Sequence, residues 1–593
     1  MNLLSVTGKK WFLRKFNSDD VLYIKDNFFL DEITSKLIAI KNIKKENIQN
    51  FLDPVIKNIL PDPNILKDME KASERTFTAI KNNEKIGIFG DYDVDGASST
   101  ALLGKYFRSI KKEFFLYIPD RRREGYGPSI DGFKKLISLG SNLIFTVDCG
   151  TLSFKPIDYA SENKIDVLVL DHHQSEIKLP NAHSIVNPNR YDDKSNLNYL
   201  CAAGVCFMFL ISLNRKLREN NWFNKNNIKE PNLIDFLDLV SLGTVCDVVP
   251  LIGLNRAIVK QGLKILKNKK NLGLKTLLDI CNIEEQPTPY HLGYVLGPRI
   301  NAGGRVGKCT HGANLLLNIN SKDAFKLAKD LDTFNKERQL LEKNLLNEVI
   351  RKADNISEPI IVLYGENWHE GIIGIIASRI KEKFNKPSVI ISITNEIGKA
   401  SARSINGFDI GSIIISCVQK KILLKGGGHK MAGGFTIEKN KIEDFKEFII
   451  KYYHKLNINF STEKKIFIDS VISPSAINLD FFEKINNLAP FGSGNSEPKF
   501  SIENLKMINS KIVGEKHIKS ILIGKDGSTI KTIAFNATES NIGAYLLDNK
   551  KKPFDIVGKM SLNQWKGKKN VEFIIDDISV TKNEKNMVPS SIG

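Results

Sequence analysis

Three aspartates at alternate positions directly follow a short apolar segment, and this feature constrains the fold most. Residues 85–90 have the sequence Lys-Ile-Gly-Ile-Phe-Gly, and Asp91-Tyr92-Asp93-Val94-Asp95-Gly96 comes next. A short apolar run closed by glycine is typical of a buried strand that ends in a loop. Open α/β sheets place their sites at the carboxyl ends of strands. The sequence therefore predicts a strand that delivers carboxylates to a site, with a solvated acidic turn as the alternative.

Strand-like and helix-like segments alternate between residues 85 and 249, a pattern typical of a parallel sheet with crossover helices. Three later apolar segments also end in metal-ligand residue types: 142–147 precedes Asp148, 165–170 precedes Asp171-His172-His173, and 233–242 precedes a loop with Asp247. Taken singly, Asp148 or Asp247 would be interpreted as a helix cap or turn residue, and His172 as a core histidine. Four such segments together favour one shared site.

The candidate ligands at these segment ends are carboxylates and imidazoles: Asp91, Asp93, Asp95, Asp148, His172, His173 and Asp247. Carboxylates in apolar surroundings are costly unless they are paired or bound to a cation, so their recurrence indicates metal. The set suits Mn²⁺ or Mg²⁺ better than zinc and has room for two ions. The seven cysteines are scattered without a Cys-x-x-Cys pair, so neither a thiolate zinc site nor a disulfide framework is predicted.

Length and composition set the class of protein. A chain of 593 residues is expected to form three to five domains. Its apolar stretches are all much shorter than the roughly 18 residues that span a bilayer, and its N-terminus does not resemble a secretory signal. We therefore expect a cytoplasmic protein without a membrane role. The net charge of +19 suits a polyanionic partner, but the bias toward Lys, Asn and Ile could produce it without selection for binding.

Four motifs in one order resemble those of RecJ-type single-strand-specific exonucleases of the DHH phosphoesterase superfamily. They are residues 91–96, 147–150, the triplet 171–173 and residues 243–250. The resemblance implies a binuclear Mn²⁺ or Mg²⁺ site whose ligands are Asp93, Asp95, Asp148, His172 and Asp247, with Asp148 as the bridge. It also implies that His173 faces the scissile phosphate. Asp91 is an additional candidate ligand.

Further segments that match this family imply contacts with the substrate. The residues are Arg121 in the loop 119–127, Arg299 and Arg305 in the segment 297–305, Ser401 and Arg403 in the segment 399–404, and Gly427, Gly428 and His429 in a glycine-rich loop whose backbone could cradle phosphate. Ser401, Arg403 and Arg121 are expected to hold the 5′-terminal phosphate of a strand. Asp120 departs from the family pattern of Asn before this arginine. The alternatives are a solvated basic turn at Arg121 and strand-end caps at Ser401 and Arg403.

The remainder of the chain predicts further domains. Residues 1–75 are interpreted as a covering segment, 76–320 as the DHH catalytic domain, 321–356 as a connecting helix and 357–456 as a second α/β, DHH-associated domain. Short strands between 457 and 593 predict a C-terminal all-β barrel similar to an OB fold. Phe535 and Trp565 are candidates for stacking on bases there, although barrel aromatics more often belong to the core.

The function implied by the resemblance is a single-stranded-DNA-specific 5′→3′ exonuclease of DNA repair and recombination in a bacterial cytoplasm. It would hydrolyse phosphodiester bonds by a two-metal mechanism and release 5′-mononucleotides. A repair helicase and a single-strand-binding protein are expected partners, and the chain is expected to be a monomer. The rival interpretations are a phosphodiesterase for short oligonucleotides or cyclic dinucleotides and an inactive nucleic-acid-binding scaffold.

Overall fold

The computed structural model describes residues 5–121, 123–456, 464–548, 552–565 and 568–580, without the side chains of 564, 565 and 568. The chain forms two compact units. The larger comprises residues 60–249 and 258–461, and the smaller comprises residues 1–59, 250–257 and 462–593. Each unit is therefore built from separate stretches of sequence.

The centre of the larger unit is a five-stranded sheet in which every pair of neighbours is parallel. In spatial order its strands are Phe114–Tyr117, Ile86–Gly90, Leu143–Val147, Asp166–Leu170 and Ser184–Val186. The three central strands confirm the sequence prediction and are almost fully buried. The two edge strands were not predicted, because each has only three or four residues and little apolar contrast with its flanks.

Helices surround this sheet and connect its strands. They are Met69–Lys81, Val94–Ser109, Ile130–Ser138, Phe154–Glu162, Ala202–Glu219, Trp222–Lys225, Leu237–Cys246, Gly253–Lys267, Leu272–Ile280, the π-helix His291–Leu296, Gly297–Val306 and His311–Leu317, with short 3₁₀ turns at Pro63–Ile65 and Leu233–Phe236. The first of them leads into the strand Ile86–Gly90. The apolar segment 233–242 forms a 3₁₀ turn and most of the helix that ends at Cys246.

The predicted connecting helix spans Ser321–Ala353, and at ~1.5 Å per residue its 33 residues are about 50 Å long. The side chain of Asn320 caps it by accepting hydrogen bonds from the backbone N–H groups of Lys322 and Asp323. Its last turns pack into a hydrophobic cluster with the second domain. The helix therefore connects to the second domain through apolar packing within one molecule.

The second domain has a sheet with the strand order Lys425–His429, Ala432–Glu438, Ile397–Arg403, Ser388–Thr394 and Ile361–Glu366. Its helices are Ile373–Phe384, Ile410–Gln419 and Ile442–Lys455, with a 3₁₀ turn at Lys439–Lys441. The glycine run that was predicted as a loop is instead the exposed edge strand of a hairpin. A Cβ on Gly428 would lie 2.5 Å from the carbonyl oxygen of Ala432, so glycine permits this close pairing.

The smaller unit contains a closed barrel, as the sequence predicted. Its five main strands, in the order of their pairing, are Phe500–Val513, His517–Ile523, Thr529–Ala534, Lys568–Val580 and Phe554–Trp565, and the last pairs with the first. Ser470–Val471 pairs with the first strand, and Lys10–Leu13 pairs with Lys465–Ile468. The helices are Ser18–Phe28, Glu32–Ala39, Ile48–Leu52, Ile56–Ile59, Leu479–Asn486 and Asn541–Leu547, with 3₁₀ turns at Lys45–Asn47 and Pro474–Ala476.

The N-terminal residues share the core of the smaller unit. Val21, Leu37 and Ile48 belong to the same buried cluster as the barrel strands, and the indole N–H of Trp11 donates to Asp577 at 3.0 Å. The guanidinium of Arg256, which is 1% exposed, donates to the backbone carbonyls of Phe51, Leu488, Ala489 and Pro490 at 2.8–3.3 Å. Burial lowers its pKa to about 10. Three separate stretches of sequence therefore stabilise one unit.

Candidate active site

Three neighbouring strands end at the same level, and this register brings the predicted ligands together. Gly90 is paired with Val147, and Val147 with Leu170. Asp91, Asp148 and Asp171 are the residues that come next in the chain, so all three leave the carboxyl edge of the sheet side by side. The predicted location at the carboxyl ends of the strands is thus observed.

The first motif is held by backbone N–H groups at two helix starts. Oδ1 of Asp93 accepts from the N–H of Gly96 at 3.0 Å and caps the helix Val94–Ser109. Asp95 accepts from the N–H groups of Ala202 at 2.6 Å and Ala203 at 3.0 Å. Helix N-termini favour negative charge, so these contacts fix the orientation of both carboxylates. A Cβ on residue 96 would lie 2.5 Å from the carbonyl oxygen of Asp91, which explains the glycine there.

Asp148 and His172 lie at the centre of the cluster. Asp148 adopts a left-handed backbone, with φ +61°. Nε2 of His172 lies 3.3 Å from Oδ1 of Asp148, 3.6 Å from Oδ2 of Asp247 and 3.8 Å from Oδ2 of Asp95. Asp247 reaches this point from the C-terminal end of the helix Leu237–Cys246. Ligands from distant parts of the chain therefore meet around one imidazole.

The residues form three overlapping groups whose ligand atoms lie within 4.8 Å of one another. The groups are Asp148 with His172 and His173, Asp95 with His172 and Asp247, and Asp91 with Asp93 and Asp148. Among the described residues, Oδ1 of Asp91, Oδ1 of Asp148 and Nε2 of His172 are buried without a hydrogen-bond partner. Buried acceptors without donors are rare, and these atoms suit the hard-cation ligand chemistry of Mn²⁺ and Mg²⁺. The residues present thus fit the implied ions.

The carboxylates raise one another's pKa. Burial and the charge of Asp93 raise the pKa of both Asp91 and Asp148 well above the usual value. Burial and the charges of Asp95 and Asp93 raise the pKa of Asp247 to about 8. Such a cluster is unfavourable without cations, because its ionised carboxylates repel one another in a medium of low dielectric constant.

Asp171 has a role that the sequence did not reveal. Its carboxylate accepts from the N–H and hydroxyl of Thr151 at 3.1 and 2.6 Å, from the N–H of His172 at 2.7 Å and from the N–H of His173 at 3.2 Å. Nδ1 of His173 lies 2.8 Å from the same carboxylate. Burial lowers the pKa of His173, but the hydrogen bond and charge of Asp171 outweigh burial and raise it to about 9. Asp171 therefore holds the backbone of both histidines and the ring of His173, and its charge favours the protonated form of that ring.

Three further residues support the histidines and were also missed. The side-chain amides of Asn187 and Asn189 donate to the carbonyl oxygens of His173 and His172, respectively. The hydroxyl of Tyr126 donates to the carbonyl oxygen of Asp148 at 3.1 Å and lies 3.1–3.2 Å from the ring nitrogens of His173. The only sequence signal was their occurrence in loops that follow strands.

Arginines gather near this cluster. The guanidinium of Arg121 lies 5.3 Å from the ring centre of Tyr92, within the aspartate motif. Arg305 donates to the carbonyl oxygen of Gly371 in the second domain at 3.1 Å. Burial and the charge of Arg121 lower the pKa of Arg305, to about 10, and the same two causes lower that of Arg403. The charge of Arg121 therefore acts on both Arg305 and Arg403, and the three guanidinium groups form a positive region suited to an anion.

Ser401 and Arg403, two of the predicted phosphate-binding residues, contact each other. Nη1 of Arg403 donates to the hydroxyl of Ser401 at 3.1 Å, and a Cβ on Gly374 would lie 3.1 Å from that hydroxyl and 3.3 Å from Nη2 of Arg403. Because glycine at 374 has no side chain, the hydroxyl of Ser401 and the guanidinium of Arg403 are not covered from this side. Arg299 differs, because its Nε forms an ion pair with Asp332 at 2.9 Å.

The remaining candidates have other surroundings. Gly427, Gly428 and His429 are exposed on the edge strand of the second domain. Phe535 is 52% exposed on the smaller unit, and its ring packs edge-on against His517 at 5.2 Å. The side chain of Trp565 lies outside the described part of the chain.

Comparisons with known proteins agree with this geometry. Three family models match: "DHH family, N-terminal domain" at residues 85–244, "DHHA1 domain" at 357–455 and "RecJ OB domain" at 468–577. The Salmonella typhimurium protein named single-stranded-DNA-specific exonuclease RecJ is 33% identical over 541 residues, which cover 89% of this chain and 92% of that protein. The Haemophilus influenzae protein of the same name is 34% identical and covers 90% and 95%. The chain belongs to the RecJ family.

A solved structure of a RecJ protein has the same fold. The crystal structure of RecJ with Mn²⁺ from Thermus thermophilus superposes with a TM-score of 0.80 at 25% identity, covering 97% of this chain and 80% of that one. The similarity to this RecJ structure thus includes the catalytic sheet, the second domain and the barrel. In the described residues, the helices are all too short or too polar to cross a bilayer.

Proposed function

We propose that the chain is a metal-dependent exonuclease that degrades single-stranded DNA from the 5′ end and releases 5′-mononucleotides. The observation that carries this proposal is the cluster of buried, partnerless ligand atoms from Asp91, Asp148 and His172 at the carboxyl edge of the sheet. RecJ relatives are named single-stranded-DNA-specific exonucleases, and a RecJ structure was solved with Mn²⁺. Phosphodiester hydrolysis is the reaction that such a cluster serves best.

We propose that Asp93, Asp95, Asp148, His172 and Asp247 hold two divalent cations, with Asp91 as a further ligand. The sharing of Asp148 and His172 between groups supports a bridge, since each belongs to two of the three sets. Bound Mn²⁺ or Mg²⁺ would supply Lewis acidity and activate water for hydrolysis. No side-chain nucleophile is required.

His173 would hold a proton beside the scissile phosphate. Its side chain is 38% exposed, and its Nδ1 is engaged by Asp171, whose hydrogen bond and charge raise the pKa of this histidine in the metal-free site. A cationic imidazole stabilises the negative charge that develops on a phosphate oxygen. Asp171 acts through this histidine and is a positioning residue.

The direction of digestion would come from the arginine region. Ser401 offers a hydroxyl and Arg403 a planar donor group, and Gly374 beside them has no side chain to cover either group. Arg121 lies near enough to lower the pKa of Arg403. A 5′-terminal phosphate is a dianion that such donors recognise without contacting a base. Arg305 would contribute positive charge to the same region.

The barrel of the smaller unit would bind single strands by stacking and by lysine contacts, with Phe535 as one stacking residue. A repair helicase and a single-strand-binding protein are the proposed partners, in the cytoplasm of a bacterium. Support comes from the bacterial origin of the RecJ relatives. We also propose that the chain acts as a monomer.

Degradation of a long single strand labelled at either end tests the function, with Mn²⁺, Mg²⁺ or EDTA present. We expect immediate release of a 5′ label as mononucleotide, slow shortening of 3′-labelled strands, and no reaction in EDTA or on blunt duplex. Hydrolysis of only very short oligonucleotides or cyclic dinucleotides would instead identify a small phosphodiesterase. Binding without hydrolysis in either metal would identify a scaffold.

A further inference from the structure

Two stacked tyrosines project into solvent on the larger unit. Tyr290 and Tyr294 are 63% and 74% exposed, although aromatic rings of this size are usually buried. Their ring centres lie 5.4 Å apart and their planes differ by 24°. Residues four positions apart share one face of a helix, so the rings form a single aromatic surface. Tyr294 lies within the π-helix His291–Leu296 and Tyr290 directly precedes it, and π-helical turns are found frequently at functional sites.

The turn that carries this aromatic surface contacts the helix that ends directly before Asp247. The thiol of Cys246 donates to the carbonyl oxygen of Leu292 at 3.3 Å, and a Cβ on Gly293 would lie 3.4 Å from the side chain of Val245. Cys246 is the last residue of the helix that presents Asp247. The turn with the two tyrosines is therefore packed directly against the element that positions a metal ligand.

The arginine region lies at the other end of the same helical run. The helix Gly297–Val306 follows the π-helix without a break, and it carries Arg305. From residue 294 to residue 305, at ~1.5 Å per residue, the distance along the axis is about 16 Å. A Cβ on Gly304 would lie 3.1 Å from the ring of Tyr92, so this end adjoins the aspartate motif. One end of the run thus packs against the helix that presents Asp247, and the other end packs against the aspartate motif.

We propose that Tyr290 and Tyr294 stack on unpaired bases of the substrate, 3′ to the scissile phosphate. A strand that is held by its 5′ phosphate at the arginines and passes the metal ligands continues toward the tyrosines. Stacking accepts any base, because every base has a π-face, and a duplex hides these faces between its own base pairs. The tyrosine pair thereby contributes to the preference for single strands. This inference rests on the proposed function.

Binding in EDTA tests the tyrosine pair separately from catalysis. The probe is a 5′-phosphorylated single strand in which one base at a time is replaced by an abasic site, and the Kd is measured by fluorescence anisotropy. For wild type we expect one or two positions, 3′ to the first phosphodiester bond, where the abasic site weakens binding about 5-fold or more. The double variant Tyr290→Ala with Tyr294→Ala should bind the intact strand as weakly as wild type binds the strand with the abasic site. Its Kd should no longer depend on where the abasic site lies.

The matched variants decide between stacking and other causes. Tyr290→Phe with Tyr294→Phe should keep the wild-type abasic profile, because the rings remain. Tyr364→Ala, which removes a 44% exposed tyrosine from a strand of the second domain, should change nothing. An unaltered abasic profile in the double alanine variant, or its loss in the double phenylalanine variant, overturns the proposal. Failure of the labelled-strand assay would instead refute the exonuclease function.

Discussion

The acidic region around Asp148 and the basic region of Arg121, Arg305 and Arg403 both bring groups of like charge together where water is largely excluded. Burial and like charges raise the pKa of Asp148 and lower that of Arg305. In the proposed function, cations complete the acidic region and phosphate completes the basic region. The two differ in construction: adjacent parallel strands and the helices that begin or end beside them position the carboxylates, whereas a loop, a helix and a second domain each supply an arginine. The acidic region should therefore be the more rigid, and substitutions there the more damaging.

The largest effect is expected at the centre of the acidic region. Asp148→Asn should lower kcat at least ~100-fold, because it removes the proposed bridge between two cations. His172→Ala should lower kcat to a similar extent. Steady-state degradation of single strands and calorimetric titration with Mn²⁺ measure the two consequences. Asp131→Asn, whose side chain is 87% exposed, is the matched control. Retention of more than about a tenth of the wild-type rate would contradict the site.

The next effect concerns the residue that orients the histidines. Asp171→Asn should lower kcat about 10- to 100-fold, the range typical of groups that position metal ligands, with little change in KM. Its carboxylate accepts from Thr151, His172 and His173, so an amide cannot replace every contact. Thr151→Val, which removes one of these contacts, should cause a smaller loss. If Asp171→Asn left kcat unchanged, its hydrogen bonds would stabilise only the fold.

A smaller and more selective effect is expected in the basic region. Arg403→Ala should reduce the preference for 5′-phosphorylated over 5′-hydroxyl strands about 10-fold, because charge-assisted hydrogen bonds to the phosphate are lost. Mn²⁺ binding should not change. Arg403→Lys should restore part of the preference, since it keeps the charge but not the planar donor group. Equal slowing on both substrates would place the 5′ pocket elsewhere.

The smallest effect is a pH dependence of stability without metal. The folded-state pKa of Asp247 is raised from 3.8 to about 8, so between these values the folded protein binds a proton that the unfolded chain does not. Stability of the metal-free protein should consequently fall as pH rises through this window. Calorimetry in EDTA should show a Tm that decreases by several degrees, and Mn²⁺ should reverse the decrease. A Tm that rises with pH in EDTA would contradict mutual repulsion in the acidic region.

The contrast in construction also explains what the sequence could reveal. Asp148 and His172 were predictable because each directly follows an apolar strand, and strand ends converge in a parallel sheet. Asp171 was not assigned its positioning role, because hydrogen bonds to Thr151 depend on loop geometry that no spacing encodes. The stacked tyrosines were missed because a helical period of four is more often a core pattern than a surface one.

Local sequence also misled where tertiary pairing decided the conformation. The glycine run 426–428 has the composition of a loop, yet it forms an edge strand because Gly428 allows very close approach of Ala432 and Gly433. The edge strands of the catalytic sheet are short and gain their order from one neighbour. In these places the long-range contacts outweigh the intrinsic preference of the residues.

The discontinuous make-up of the smaller unit has a consequence for dissecting the protein into fragments. The chain enters or leaves this unit at residues 59, 250, 257 and 462, so no single cut isolates it. A fragment that begins at 462 would lack the helices around Val21 and Leu37 and the four carbonyl contacts of Arg256. Conversely, truncation after residue 461 would remove three of the four carbonyl groups that accept hydrogen bonds from Arg256. The barrel and the N-terminal segment can therefore be transplanted only together.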